Sequence, residues 1–211
     1  TYSEVEQSPM LTAWLYRAKQ LAQGLTVGKF TAKSVDAAVV QLKALMTNPE
    51  DIRQVARVLS EAGIRLLLIE PFPGMKVDGV CFWLDADSPV IAMTLRFDRI
   101  DNFWFVLMHE LGHVFLHLFD GLRFDFFDEE DGNDGDTIEA AADRFALGAL
   151  IPEESWDQCL SRFALSEEAV RIDADTIGID PSIVAGRIRK ERGNYTILND
   201  LVGQGQVRSQ L

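Results

Sequence analysis

The sequence is poor in cysteine, histidine and positive charge, and each shortage excludes something. Cys81 and Cys159 are the only two cysteines, too few and too far apart for a thiolate metal cluster or a disulfide framework, so both read as reduced thiols in or near a core. Lysine and arginine together number 20 against 33 acids, a formal charge of -13. Binding to nucleic acid or to an anionic membrane by counterion release needs clustered bases, so any DNA role would require a local basic patch. No apolar run approaches the roughly 18 residues of a membrane span, and the polar first residues have no signal-peptide core; together these predict a cytoplasmic address and no membrane partner. The chain starts at Thr1 and not at Met, which leaves open a processed or longer parent. Internal repeats, low-complexity linkers and clear domain boundaries are also missing. At 211 residues with 47% hydrophobic content the chain can build one large core. It is read as a single unit over 1–211, with amino-terminal helices in 1–50, a central part in 51–160 and a helical segment in 161–211 whose best candidate seam lies near Ser161 to Ser166.

What histidine there is falls in one place. His109, His113 and His117 all lie in the apolar run from Phe103 to Phe119, and the first two frame His109-Glu110-Leu111-Gly112-His113. A helix turns about 100° per residue, so residues four apart share a face and two rings there can hold one metal ion. Glu110 sits about 100° round from His109, outside the ligand pair but placed to hold a water on the metal. This is the H-E-x-x-H arrangement of zinc hydrolases. A catalytic zinc takes three protein ligands and keeps one position open. The best third ligand is a carboxylate on a separate helix. Glu139 opens Glu139-Ala140-Ala141-Ala142-Asp143, where the two acids lie four apart on one face and the alanines allow close helix approach. Asp143 would accept the spare N–H of one histidine and fix its tautomer. His117 is the rival ligand, but it lies two turns from His109 and about 80° round, beyond the reach of a straight helix, so it reads as a cleft-lining or core residue.

Around this segment the periodicity gives helices from Ser8-Pro9 to Gly24, from a Ser34 cap to Met46, and from Asn48-Pro49 to Gly63. Strands follow at Arg65–Glu70, Val80–Leu84 and Val90–Leu95, the last two joined by the polar turn Asp85 to Pro89. Acids at Asp98 and Asp101 suit the start of the histidine helix. Asp120 to Asp136 carries eight acids against one base, Arg123, and reads as a solvated flap; no register of it fits an EF-hand. Thr137 is expected to cap a helix over Ile138–Leu150, Glu153–Phe163 to form another, and Ser166–Ile177 with Ser182–Glu191 to make a helix-turn-helix. The tail beyond Gly193 is weakly patterned.

The joint pattern of His109-Glu110-Leu111-Gly112-His113, Leu116-His117, Glu139-x-x-Ala142-Asp143-x-Phe145-Ala146 and Ile151-Pro152 resembles the ImmA/IrrE family of metallopeptidases over roughly Asp51 to Glu154. The resemblance implies a minimal zincin-like α+β domain, with a small, mostly antiparallel sheet packed on the histidine helix and extra helices at both ends. It implies His109, His113 and Glu139 as ligands of Zn2+ or Mn2+, and Glu110 as general base. Its implied substrate is a protein, a helix-turn-helix repressor. Two departures touch only the surroundings of the ligands: Ala141 stands where many members have Glu, and Asp143 where many have Asn. An extended substrate is expected to pair with an exposed edge strand, with Val90–Leu95 as candidate, and His117 or Tyr195 is a candidate oxyanion donor. Two rival readings stay open. One is a DNA-binding regulator using Arg187, Arg189, Lys190 and Arg192; the other is an antitoxin-type module whose metal is structural.

Overall fold

The computed structural model describes residues 9–120 and 134–211, without the side chains of 117–120 and 134–137. Its amino-terminal helix α1 (Pro9–Gln23) buries Trp14, Ala18 and Ala22, spaced four apart on one face, and the Trp14 indole N–H donates to the Glu70 carbonyl at 3.2 Å. Helix α2 (Ala32–Ala44) starts earlier than expected. Its cap is Thr31, whose Oγ1 accepts from the Ser34 N–H at 3.0 Å while Ser34 Oγ accepts from the Thr31 N–H at 2.9 Å, so Ser34 closes a capping box and is not itself the cap. A 3-10 turn over Pro49–Gln54 leads into α3 (Val55–Glu61).

Three strands follow: β1 (Arg65–Leu68), β2 (Gly79–Trp83) and β3 (Pro89–Met93). Their order is β1-β3-β2, with β2 antiparallel and β1 parallel to β3, so the expected small sheet is mixed. Placing β3 in the middle corrects the expectation that Val90–Leu95 is an edge. Val90 and Ala92 pack towards Trp14 and Ala18 of α1, and Ile91 and Met93 join the core on the opposite face. A strand covered on both sides must be apolar at every position, and Val-Ile-Ala-Met is such a run. The edges among the described strands are β1 and β2.

Across the second face lies the histidine helix, α4 (Ile100–Asp120). Phe103, Trp104, Leu107, Met108, Leu111 and Val114 are all buried on it, so α4 is covered around most of its circumference. Helix α5 (Asp134–Leu150) packs beside it and begins three residues before Thr137. The acidic segment therefore ends in a helix; its flap reading for 121–133 lies outside the described residues.

The predicted helix over Glu153–Phe163 is two, α6 (Glu153–Trp156) and α7 (Ser161–Ala164). The break buries Cys159 beside Trp156 and lets the Asp173 carboxylate accept the Ser161 N–H at 2.8 Å. The helix-turn-helix is present as α8 (Glu167–Ile177) and α9 (Pro181–Arg192), capped by Ser166 and Asp180. Beyond Gly193 the weakly patterned tail is ordered by long-range bonds. Asp98 Oδ1 accepts from the N–H groups of Val207 and Arg208 at 3.1 and 3.0 Å, and Val202 and Val207 are buried. Both cysteines are buried and free. Among the described residues no helix is long and apolar enough to cross a membrane.

Candidate metal centre

Two small residues set the distance between α4 and α5. A Cβ on Gly112 would lie 3.2 Å from the Ala142 Cα and 3.2 Å from the Phe145 ring, a contact tighter than ordinary packing, and Ala142 is fully buried. With the backbones this close, the carboxylates one residue and one turn away from Ala142 reach the histidines. His109 Nε2 lies 3.1 Å from His113 Nε2 and 3.3 Å from Glu139 Oε2, and His113 Nε2 lies 3.4 Å from Glu139 Oε1. On its other side His109 Nδ1 is 2.9 Å from Asp143 Oδ1.

These separations test whether a metal fits. Ligand atoms on a tetrahedral zinc with bonds of about 2.0–2.1 Å stand roughly 3.3–3.4 Å from one another. The three atoms here make a triangle of 3.1–3.4 Å edges before any ion is added. Asp143 accepts the Nδ1 proton of His109, so in the neutral ring the Nε2 lone pair faces the triangle. Two imidazole nitrogens and a carboxylate converging in this way need a shared cation or shared protons, and the donor set suits a divalent ion.

Residues 60–176 match the IrrE N-terminal-like domain of peptidase family M78. The chain belongs to that family. The match covers the sheet, α4 and α5 and makes this IrrE-like domain a metallopeptidase of ImmA/IrrE type. No curated protein matches the chain. Helices α1, α2 and α9 flank the matched segment.

In the IrrE-like domain Glu110 is buried beside the triangle and does not belong to it. Its carboxylate is close to the first residue of β2: a Cβ on Gly79 would fall 2.7 Å from Glu110 Oε1, so only glycine leaves room for the acid. The Cys81 backbone N–H bonds the same carboxylate. Burial pushes the Glu110 carboxyl up to about 8, against the pull of the neighbouring His109 charge. Burial opposes protonation of His109, but its bonds to Asp143 and Glu139 prevail and push the ring up to about 9. Glu139 and Asp143 are also resisted by burial, yet the His109 bond, and for Asp143 the Lys190 bond as well, hold both below the ordinary carboxylate range. These values belong to the metal-free site; a bound dication displaces the ring protons.

A cleft of about 860 Å³ opens over His109 and Glu110, bounded by Asp78 and Gly79 on one side and by Asp143, Lys190 and Tyr195 on the other. Tyr195 lines it and is 57% exposed. His117 belongs to α4, but its side chain lies outside the described residues. Sequence reasoning missed two contributors. Gly79 lies one residue before the expected strand Val80–Leu84, and the Asp78-Gly79 dipeptide signals a turn, not a site. Lys190, which donates to Asp143 Oδ2 at 2.9 Å, was counted among the bases of α9, and no spacing rule connects it to the site.

Proposed function

We propose that the protein is a zinc-dependent endopeptidase, and that its substrate is a helix-turn-helix transcriptional repressor of a stress-response, mobile-element or toxin-antitoxin system in the cytoplasm. The observation that carries this reading is the triangle of His109, His113 and Glu139 with Glu110 buried alongside and the cleft above. Two imidazoles and a carboxylate are zinc-type donors, with Mn2+ the nearest alternative. When bound, such an ion lowers the pKa of water from 15.7 toward about 7 and polarises a carbonyl. Glu110, buried beside the triangle, is placed to take the proton of the attacking water and deliver it to the departing amine. Asp143 holds the His109 ring in one tautomer. With β3 internal, the strand available to an extended substrate is β2, whose first residue borders the cleft. Tyr195 is the candidate oxyanion donor.

The DNA-binding alternative needs free bases on α9, and their positions favour packing instead. Arg187 is buried, donating to the Ile151 carbonyl at 2.7 Å and pairing with Glu153 and Glu191; Arg189 is buried, and Arg192 donates to the Arg162 carbonyl. The antitoxin-type alternative is separated by Glu110→Gln. An amide of the same shape cannot accept the proton, so cleavage of a repressor encoded beside this protein should fall on the order of 10²- to 10⁴-fold while metal content and melting temperature hold. Unchanged cleavage would remove Glu110 from the mechanism, and no cleavage by the unaltered protein would favour the binding module.

A further inference from the structure

The Asp143 carboxylate has two partners on opposite sides. One oxygen faces His109 Nδ1 at 2.9 Å, and the other accepts from Lys190 Nζ at 2.9 Å. Lys190 is itself held: its ammonium sits 4.2 Å above the Phe105 ring, one turn before His109 on α4, and its side chain is 33% exposed. The helix that carries it, α9, is fixed to the carboxyl end of α5 by the buried Arg187, which donates to the Leu147 and Ile151 carbonyls. So α9 touches α5 at two points, one at its end and one beside the metal triangle.

A carboxylate on a short side chain, 37% exposed at the mouth of a cleft, has water as an alternative partner for both oxygens. Left to itself it can rotate about its Cβ–Cγ bond and exchange the His109 bond for water. An ammonium bonded to the outer oxygen removes that freedom. From this geometry we infer that Lys190 is a positioning residue of the metal centre: it clamps Asp143 so that the inner oxygen stays on His109 Nδ1 and the Nε2 lone pair stays on the triangle. The inference rests on the functional reading above, since it takes His109 as a metal ligand.

Two effects of opposite sign make the proposal testable. A cation near a metal site repels the metal, so deleting the charge alone should tighten binding by a few-fold at the screening of a partly exposed site. Losing a group that orients a ligand should weaken binding by about 10- to 100-fold. The sign of the change therefore decides between a clamp and a bystander charge.

The experiment is equilibrium zinc binding by competition with a chromophoric chelator, on the full chain without substrate. Lys190→Met should weaken zinc binding by about 10-fold or more, and Lys190→Arg, which keeps a cationic donor, should stay within about threefold of the unaltered protein. In an Asp143→Ala background the clamp has nothing to hold, so Lys190→Met should there leave affinity unchanged or tighten it. A direct readout accompanies these numbers: the His109 Nδ1–H proton resonance of the zinc-loaded protein should be sharp in the unaltered protein and broadened by exchange with water in Lys190→Met. Tighter or equal zinc binding by Lys190→Met, or equal weakening with and without Asp143, would overturn the clamp. If Lys190→Met does not fold, Lys190→Gln carries the same comparison, since it too deletes the charge. Failure of the unaltered protein to bind zinc or Mn2+ would sink the functional reading itself, whereas binding that ignores Lys190 sinks only this inference.

Discussion

Helix α4 carries two buried polar clusters, and they differ in kind. Near its start, Asp101 is held by Arg99 through two parallel bonds, Nε to Oδ1 at 2.8 Å and Nη2 to Oδ2 at 2.9 Å. That pair is closed by fork-on-fork bonding of guanidinium to carboxylate, and the nearby Arg189 charge also acts on Asp101. Further along, His109, His113 and Glu139 bring three atoms able to accept a metal ion to one point. Both clusters perturb their acids through burial, which raises Asp101 and Glu110 alike. A raised carboxyl is therefore not what marks the functional site in this protein; the convergence of acceptors is.

The strongest way to break the contrast is to remove a member from each cluster and read metal content and stability together. His109→Ala or Glu139→Ala takes away one of the three proposed protein ligands, and the expected result is loss of the roughly one equivalent of ion expected in the unaltered protein, together with any cleavage activity. Full occupancy in Glu139→Ala would move the third ligand to His117 or Asp143. At the closed cluster the expectation is reversed. Arg99→Met takes both charge-assisted bonds from the buried Asp101 carboxylate and leaves only the Arg189 charge to oppose it, at a cost of about 2 kcal/mol in unfolding free energy, while zinc affinity stays the same. A fall in zinc affinity there would mean the clusters are coupled along α4.

A third expectation concerns pH. In the metal-free protein His109 is raised from 6.5 to about 9, so between those values the folded state holds a proton that the unfolded chain has lost. Glu110 is raised from 4.5 to about 8 and behaves likewise over its own interval. Where the folded state binds more protons, stability falls as pH rises. The carboxylates held low, Glu139 and Asp143, act in the other direction but only at more acidic pH. Melting of the metal-free protein should therefore drift downward from about pH 5 to 9. The gap between metal-loaded and metal-free melting should widen over the same interval, because the ion needs unprotonated rings. A constant gap would show that the rings are already neutral before metal binds.

The helices and the grouping of His109, His113 and Glu139 were legible because their signals are local. Trp14, Ala18 and Ala22 repeat at helical spacing, and His109 and His113 share a face by spacing alone. Glu139 and Asp143 were legible as a pair, and of the three alanines between them Ala142 is the contact with Gly112. Strand order was misread because the apolar run Val90–Met93 was weighed as a strand without asking how many of its faces must be covered. The helix break at Asp157–Leu160 and the tail's attachment to Asp98 depend on partners far along the chain, Asp173 and Val207, which no window of sequence contains. Lys190 belongs to the same class. Its partner is on another helix, and in sequence it is one base among several.

The central position of β3 has a consequence for measurement. Its backbone is bonded on both edges and its side chains are buried on both faces, so none of its inner amides reaches water by fraying or by a loop opening. Hydrogen exchange at Val90 to Met93 should proceed only when the whole molecule unfolds, and its rate then reports the global free energy. An ion that binds only the folded chain slows exchange there by the ratio of total to metal-free folded protein. Deuterium uptake in this one strand can thus serve as a gauge of metal binding on the far side of α4, with no label on the centre and no substrate to hand.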